Sequence, residues 1–302
     1  MSNNLSFLFR NTSLTCEEVQ LSLKAIKAFK NRNIKKYAEK HIDGLQYLWA
    51  NNDYSGYVSM TEKYIIVAFR GTNCIEDLYN DLDCSLIPFY NGYCHRGFYN
   101  LAHSINIDLV LSIIDTYPEK SVLLCGHSMG GAASLILYYE LCEYSHSEST
   151  KVFTLGAPFC LSMDVCHTNA NMFNIMNMIN VNDPVPLITN SKRHSYFLNS
   201  LYTSFLKVFH TICEDSESTE YLLQYFNQYD DIFRNTLKKS TLFSPQGYFF
   251  LIYGNRQIKY LSSFQVVDYI YKNSGTIPSL WQHIVWYYIH QCQNIHPNTL
   301  VY

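Results

Sequence analysis

The sequence predicts an α/β fold in which helices cover both faces of a mainly parallel sheet, and three observations support that prediction. Strand-like apolar runs alternate with segments whose apolar residues recur at helical spacing. The chain has 302 residues, 48% of them hydrophobic and 16% charged, so it can bury a large core. No repeat, low-complexity tract or linker divides the sequence. We therefore expect a single domain over residues 1–302.

The hydrophobic pattern predicts the elements in order. Residues 1–54 are expected to form an N-terminal helical part, because apolar side chains recur at helical spacing from Glu17 to about Leu48 and indicate two helices. Gly56–Met60 and Lys63–Phe69 are separated by a short polar turn, which is typical of paired strands. The remaining pattern predicts helices at 105–116, 132–142 and 284–289 and strands at 121–125, 151–155, 174–181, 247–253 and 257–261.

Charge and hydropathy exclude several classes of protein. The chain has 22 Lys and Arg against 25 Asp and Glu, a net charge of -3, so no cationic surplus is available to bind nucleic acid. The first ten residues lack the basic start and apolar stretch of a secretory signal, and nowhere do 18 apolar residues follow one another. We expect a cytoplasmic protein without a signal peptide or a transmembrane helix.

The ten cysteines show no paired short spacing, which favours reduced and mostly buried thiols. A metal site built from Cys160, Cys166 and His167 is the alternative interpretation. Neither a CxxC nor an HExxH pattern supports such a site, so we expect no metal.

Gly126–Gly131, with the sequence Gly-His-Ser-Met-Gly-Gly, is the most informative motif in the chain. It matches G-x-S-x-G and lies between an apolar strand and a helix, the context in which a serine nucleophile is held on a sharp turn. Small residues must flank such a turn, because its strained backbone brings neighbouring segments close together. The pattern therefore predicts Ser128 as a nucleophile. The simpler alternative is a serine that only caps the helix.

A serine hydroxyl needs a base that a carboxylate orients, and in this kind of fold the order along the chain is Ser, Asp or Glu, His. Asp183 follows a predicted strand, in a loop that two prolines fix, and is the expected acid. Asp164 lies closer to the preceding turn and is its rival. His283 follows a strand pair and precedes a helical segment, which favours it as the base. The other candidates for the base are His194, His210, His290 and His296.

A series of further motifs accompanies this one in a fixed order. They are Val67–Thr72, Asp77–Leu78, Asp81–Leu82, His95–Phe98, Gly126–Gly131, Thr154–Pro158 and Asn182–Pro186. This series resembles the class 3, or fungal-type, lipases of the α/β-hydrolase superfamily. The resemblance covers residues 55–190 well and extends more loosely to His283. Phe243–Tyr248 and the residues after His283 are similar to the C-terminal pattern of plant-type members.

The resemblance implies roles for the residues that match the family motifs. Ser128 would be the nucleophile, Asp183 the acid and His283 the base of a catalytic triad. Thr72 and Met129 would donate the backbone N–H groups of the oxyanion hole, with no metal or cofactor.

Two segments are expected to cover or extend the site. In the family a lid follows the oxyanion loop. The corresponding lid segment in this chain is Cys74–Pro88. The interval between Asp183 and His283 is longer than in the compact fungal members, so 191–242 is interpreted as an insertion. Within it, apolar residues of Tyr196–Ile212 recur at helical spacing, and one hypothesis is that this helix docks on lipid. The alternative is a helix packed on the core.

The resemblance implies a lipase or serine esterase that hydrolyses the carboxylic ester bonds of acylglycerols or phospholipids. Triacylglycerol lipase, monoacylglycerol lipase and phospholipase A1 activities all fit the motifs. The expected partners are a lipid ester and, peripherally, a membrane or lipid-droplet surface. The alternative is a catalytically silent lipase-like scaffold or a lipid-binding protein. The presence of Ser, Asp and His in the required order favours the enzyme.

Overall fold

The computed structural model describes residues 12–31, 33–42, 47–50, 55–71, 85–144, 146, 148–165, 168–183, 185–187, 243–253, 258–273 and 285–293. The helices of this part are α1 (Cys16–Ala28), α2 (Ile34–His41), α3 (Arg96–Ala102), α4 (Ile107–Thr116), α5 (Met129–Glu143), α6 (Ser263–Asn273) and α7 (Val285–Gln293). Its strands are β1 (Tyr47–Ala50), β2 (Ser55–Met60), β3 (Tyr64–Phe69), β4 (Leu86–Phe89), β5 (Gly92–His95), β6 (Ser121–His127), β7 (Thr150–Leu155), β8 (Leu161–Ser162), β9 (Ile175–Asn180), β10 (Phe243–Ser244), β11 (Tyr248–Ile252) and β12 (Ile258–Ser262). Short 3-10 turns lie at Met172–Asn174 and Val185–Leu187. None of these helices is both long and apolar enough to span a membrane.

The described strands form a central eight-stranded sheet in the order β1-β2-β3-β6-β7-β9-β11-β12. The inner strands β3, β6, β7, β9 and β11 run parallel to one another, while β1, β2 and β12 pair antiparallel toward the two edges. Parallel neighbours need crossover connections, and α5 forms the crossover between β6 and β7. This arrangement confirms the predicted α/β-hydrolase fold.

Helices cover both faces of the sheet. Adjacent residues of a strand point to opposite faces, so Cys125 and Gly126 of β6 mark its two sides. Cys125 faces Ser22 of α1, whereas a side chain at Gly126 would meet the start of α5. Strands buried on both faces are continuous apolar runs, and this is why the sequence pattern locates the inner strands closely.

The structure corrects the prediction for the N-terminal part. α1 and α2 match the two expected helices, but α2 ends at His41 and not near Leu48. Tyr47–Ala50 instead form β1, which pairs antiparallel with β2. A segment of this length is too short for hydrophobic periodicity to distinguish a strand from a helix, and pairing with β2 decides its conformation.

A second, smaller sheet was not predicted. It has the strand order β10-β8-β5-β4 and is antiparallel throughout. β8 and β10 contain two residues each, too few to leave a hydrophobic pattern. β4 is Leu86–Phe89, so the expected lid, Cys74–Pro88, is a strand over its last residues. Residues 72–84 and the expected insertion 191–242 lie outside the described residues.

An ion pair between Lys151 and the buried Glu18 connects α1 to the sheet. Lys151 of β7 donates to both carboxylate oxygens of Glu18, at 2.8 and 3.0 Å, and to the Ser13 carbonyl at 2.7 Å. The Glu18 carboxylate also caps α1 by accepting the Thr15 N–H. Only 4% of the Glu18 side chain is exposed, so its charge is costly unless Lys151 neutralises it.

Replacing Lys151 with methionine is expected to lower the free energy of unfolding by about 3 kcal/mol, because it leaves the buried Glu18 carboxylate without its partner. Urea unfolding at neutral pH measures this change. Lys63→Met is the matched control. Lys63 pairs with Glu17 of the same helix at 3.5 Å, but both side chains are more than half exposed, and we expect a change below about 0.5 kcal/mol. Equal losses in the two variants would contradict this account.

Candidate active site

Ser128 lies at the sharp turn between β6 and α5. Its backbone has φ 57° and ψ −131°, and residues with a side chain rarely adopt a positive φ. Its N–H donates to the Leu155 carbonyl at 2.9 Å, and its carbonyl accepts the Gly131 N–H at 2.9 Å. Such strain persists only where the surrounding structure enforces it, and it is typical of functional sites. The turn therefore has the geometry of a serine nucleophile.

Two glycines leave the space that this turn requires. A Cβ on Gly126 would lie 2.2 Å from the Gly130 carbonyl group, and a Cβ on Gly130 would lie 2.4 Å from the Phe69 carbonyl oxygen. Both clashes are with backbone, which cannot rotate away as a side chain can. The Ser128 side chain makes no capping hydrogen bond to α5, which contradicts the interpretation of this serine as a helix cap alone.

The start of α5 offers a backbone donor beside Ser128. Met129 is the first residue of α5, so no carbonyl within the helix can accept its N–H. The partial positive charge of the helix N-terminus adds to this donor. A Cβ on Gly71 would lie 2.4 Å from the His127 carbonyl oxygen, so the chain leaves β3 in contact with the residue before the serine. Thr72, the other predicted donor, lies outside the described residues.

Asp183 follows β9 and is almost fully buried, with 2% of its surface exposed. Its Oδ1 accepts the Val185 N–H at 2.9 Å, and its Oδ2 accepts the Tyr288 hydroxyl at 2.6 Å. Gly156 has φ +56°, and a Cβ there would lie 2.8 Å from Oδ2. The carboxylate is thus held in a buried, crowded environment by a hydrogen bond to each of its oxygens. Asp164, its rival, is exposed in the turn after β8.

The strand order places Ser128 and Asp183 at the same edge of the sheet, the one formed by the carboxyl ends of the parallel strands. β6 and β9 are parallel, and only β7 lies between them. Because neighbouring strands are about 4.8 Å apart, the carboxyl ends of β6 and β9 are about 10 Å apart. A serine and a carboxylate that follow these two strand ends are two of the three groups that a Ser-His-Asp triad requires.

Helix α7 reaches the same edge. It begins at Val285, which lines a pocket together with Gly71 and His127. The rings of Tyr288 and His127 meet edge to face with centroids 5.9 Å apart. His283, the predicted base, comes just before this helix in the sequence and lies outside the described residues. The alternatives His194, His210 and His296 also lie outside them, and His290 is exposed on α7.

The segment that carries the site matches a known family. The family model for Lipase (class 3) matches residues 66–193, from β3 to beyond Asp183. These residues are similar to the class 3 lipase family. The family was predicted from the order of the sequence motifs, and the match confirms that prediction.

Individual lipases are similar to part of the chain. A lipase from Rhizomucor miehei is 30% identical over 107 residues, and a secreted alkaline triacylglycerol lipase from Penicillium cyclopium is 33% identical over 104 residues. These alignments cover 32% and 30% of this chain and only 30% and 36% of the two relatives. A solved lipase from Rhizopus microsporus var. chinensis is similar over 59% of this chain and 70% of that chain, with 20% identity and a TM-score of 0.48.

The structure brings the predicted Ser128, Met129 and Asp183 of the class 3 lipase segment to one edge of the sheet. It also adds two residues that the sequence analysis missed. Tyr288 donates to Asp183, and Gly156 leaves space for both. Gly156 lies in the Gly-Ala-Pro motif. The motif singled out this position in the sequence, but it did not indicate that a glycine is needed there to make room for Asp183 and Tyr288. For Tyr288 no local motif existed, because its partner is 105 residues away.

The described part shows no group of three His, Cys, Asp or Glu side chains arranged to hold a metal. Cys160, one member of the metal set considered from the sequence, is buried, and burial raises the pKa of its thiol. Cys166 and His167 lie outside the described residues.

Proposed function

We propose that this chain is a lipase, a serine esterase that hydrolyses the carboxylic ester bonds of acylglycerols or phospholipids. The observation that carries the proposal is the strained turn that holds Ser128 at the start of α5, at the same sheet edge as the buried Asp183. The match of residues 66–193 to the class 3 lipase family model supports the same activity. The relatives named lipase and triacylglycerol lipase make triacylglycerols the first substrates to test.

In the proposed reaction, Ser128 Oγ attacks the ester carbonyl carbon while His283 takes its proton. Asp183 orients the histidine and stabilises the imidazolium that forms. The N–H groups of Thr72 and Met129 bind the oxyanion, and each contributes about 3 kcal/mol. The intermediate collapses, the alcohol leaves with the proton from His283, and the acyl group stays on Ser128. Water then attacks the acyl-enzyme, with the same histidine as base, and releases the fatty acid.

The proposal includes a place of action. Long-chain esters collect in membranes and lipid droplets because transfer of their chains into water is unfavourable. We therefore propose a cytoplasmic enzyme that contacts such a surface peripherally.

Fatty-acid release from mono-, di- and triacylglycerols and from phospholipids, offered both as emulsions and as vesicles, tests the proposal. We expect release from at least one lipid class. We also expect an organophosphorus probe that reacts with activated serines to label Ser128. Ser134 of the same helix is the internal control. It is buried, donates to the Gly130 carbonyl at 2.8 Å and should stay unlabelled. Absence of both release and labelling would overturn the lipase and favour the silent scaffold or lipid-binding protein.

A further inference from the structure

The Tyr288 hydroxyl is buried between Asp183 and Asn180. It donates to Asp183 Oδ2 at 2.6 Å and accepts the Asn180 N–H at 2.9 Å. The direction of both bonds is fixed, because a backbone N–H can only donate. The single hydroxyl proton must therefore point toward the carboxylate. In this arrangement the Tyr288 hydroxyl can only donate its proton to Asp183.

The charge state of this tyrosine is fixed as well. Burial, followed by the negative charge of Asp183, raises the pKa of Tyr288 well above its usual range. The hydroxyl therefore keeps its proton throughout the neutral and mildly alkaline range. Tyr288 is 0% exposed, so solvent does not compete for the bond to the carboxylate.

The surroundings of the hydroxyl hold it in place. A Cβ on Gly156 would lie 2.9 Å from the Tyr288 oxygen, so any side chain at this position would push the tyrosine away. The His127 ring packs against the tyrosine ring on another side. The Val185 N–H meanwhile holds Asp183 Oδ1. Two donors from separate elements therefore hold the two carboxylate oxygens, and Tyr288 is the one that α7 contributes.

We propose that Tyr288 is a positioning residue, whose hydrogen bond orients the Asp183 carboxylate and tunes the basicity of the catalytic histidine. This inference rests on the proposed function. Because the hydroxyl draws negative charge from Oδ2, Asp183 stabilises the imidazolium less than an unshared carboxylate would. The histidine consequently stays neutral, and able to accept the Ser128 proton, to lower pH.

Tyr288→Phe keeps the ring and removes the donor. We expect kcat to fall about tenfold with little change in KM, because the interaction acts on the triad and not on the lipid. We also expect the acidic limb of the kcat/KM profile to move up by about half a pH unit, since an Asp183 without the Tyr288 donor keeps more negative charge and favours the protonated histidine. Tyr287→Phe, the same substitution one residue earlier on α7, is the matched control and should change neither quantity.

A second variant should move the limb the other way. Tyr288→3,5-difluorotyrosine keeps the ring and the hydroxyl, but the fluorines make the hydroxyl a stronger donor. It should draw more charge from Asp183 and move the acidic limb to lower pH. A role in stability alone changes the amount of folded protein and leaves the limb where it is. Opposite displacements in the two variants therefore identify the positioning role.

The experiments distinguish failure of the Tyr288 role from failure of the proposed lipase activity. Wild-type kcat and an unmoved limb in Tyr288→Phe would overturn this inference and leave the lipase standing. If Tyr288→Phe does not fold, the direction of the limb in the fluorinated variant decides. A wild-type chain that neither releases fatty acid nor reacts with the organophosphorus probe would overturn the proposed function and this role together.

Discussion

Ser128→Ala is expected to lower kcat for ester hydrolysis by about five orders of magnitude while the protein remains folded. Alanine has no oxygen that can attack the ester or carry the acyl group, so the two-step route through an acyl-enzyme is closed. The residual rate would come from the oxyanion donors acting on water as the nucleophile. Fatty-acid release from the lipid that the wild type hydrolyses fastest measures the loss, and circular dichroism checks the fold.

Ser128→Gly separates the chemistry from the backbone strain at the same position. The φ of 57° is unfavourable for any residue with a Cβ, so alanine keeps the strain and glycine relieves it. Both variants should be inactive, but Ser128→Gly should resist urea better than Ser128→Ala by about 1 kcal/mol. If Ser128→Ala keeps substantial activity, another residue must be the nucleophile. If glycine gives no added stability, the turn is not strained.

Asp183→Asn is expected to lower kcat by about 10,000-fold. The carboxylate presents an acceptor to the Val185 N–H and another to the Tyr288 hydroxyl, at 2.9 and 2.6 Å. Asparagine has one oxygen, so its amide nitrogen must face one of these two donors. It also lacks the charge that stabilises an imidazolium. We therefore expect a loss of stability of about 1 to 3 kcal/mol beside the loss of activity.

Asp164→Asn is the matched control for this prediction. It makes the same substitution at the rival acid, whose side chain is exposed in the turn after β8. We expect wild-type kcat and a change of stability within about 0.5 kcal/mol. Steady-state hydrolysis and urea unfolding of both variants provide the comparison. The opposite result, an active Asp183→Asn and an inactive Asp164→Asn, would move the acid of the triad to Asp164.

The turn around Ser128 could be predicted from the sequence because its determinants are local. Six consecutive residues contain the serine, the glycines that admit close backbone contacts and the start of the helix. The inner strands were equally accessible, because burial on both faces makes each of them a continuous apolar run. The position of Asp183 beyond the carboxyl end of β9 could be predicted because it follows such a strand.

Features that depend on distant partners could not be predicted in this way. Nothing in the apolar spacing of α7 distinguishes a tyrosine that packs in the core from one that donates to a carboxylate 105 residues earlier. β1 and the two-residue strand β8 likewise take their conformation from the strand beside them. Local periodicity carries no information about which partner that will be.

The bond between Asp183 and Tyr288 also orders events during biosynthesis. Ribosomes add about 5 to 20 residues each second, so a separation of 105 residues means that the hydroxyl is made roughly 5 to 20 s after the carboxylate that it holds. Until then the emerging chain lacks the hydroxyl that holds Asp183 Oδ2. In the proposed lipase, the hydrogen bond that holds Asp183 Oδ2 therefore forms only after α7 has been synthesised and has docked on the sheet.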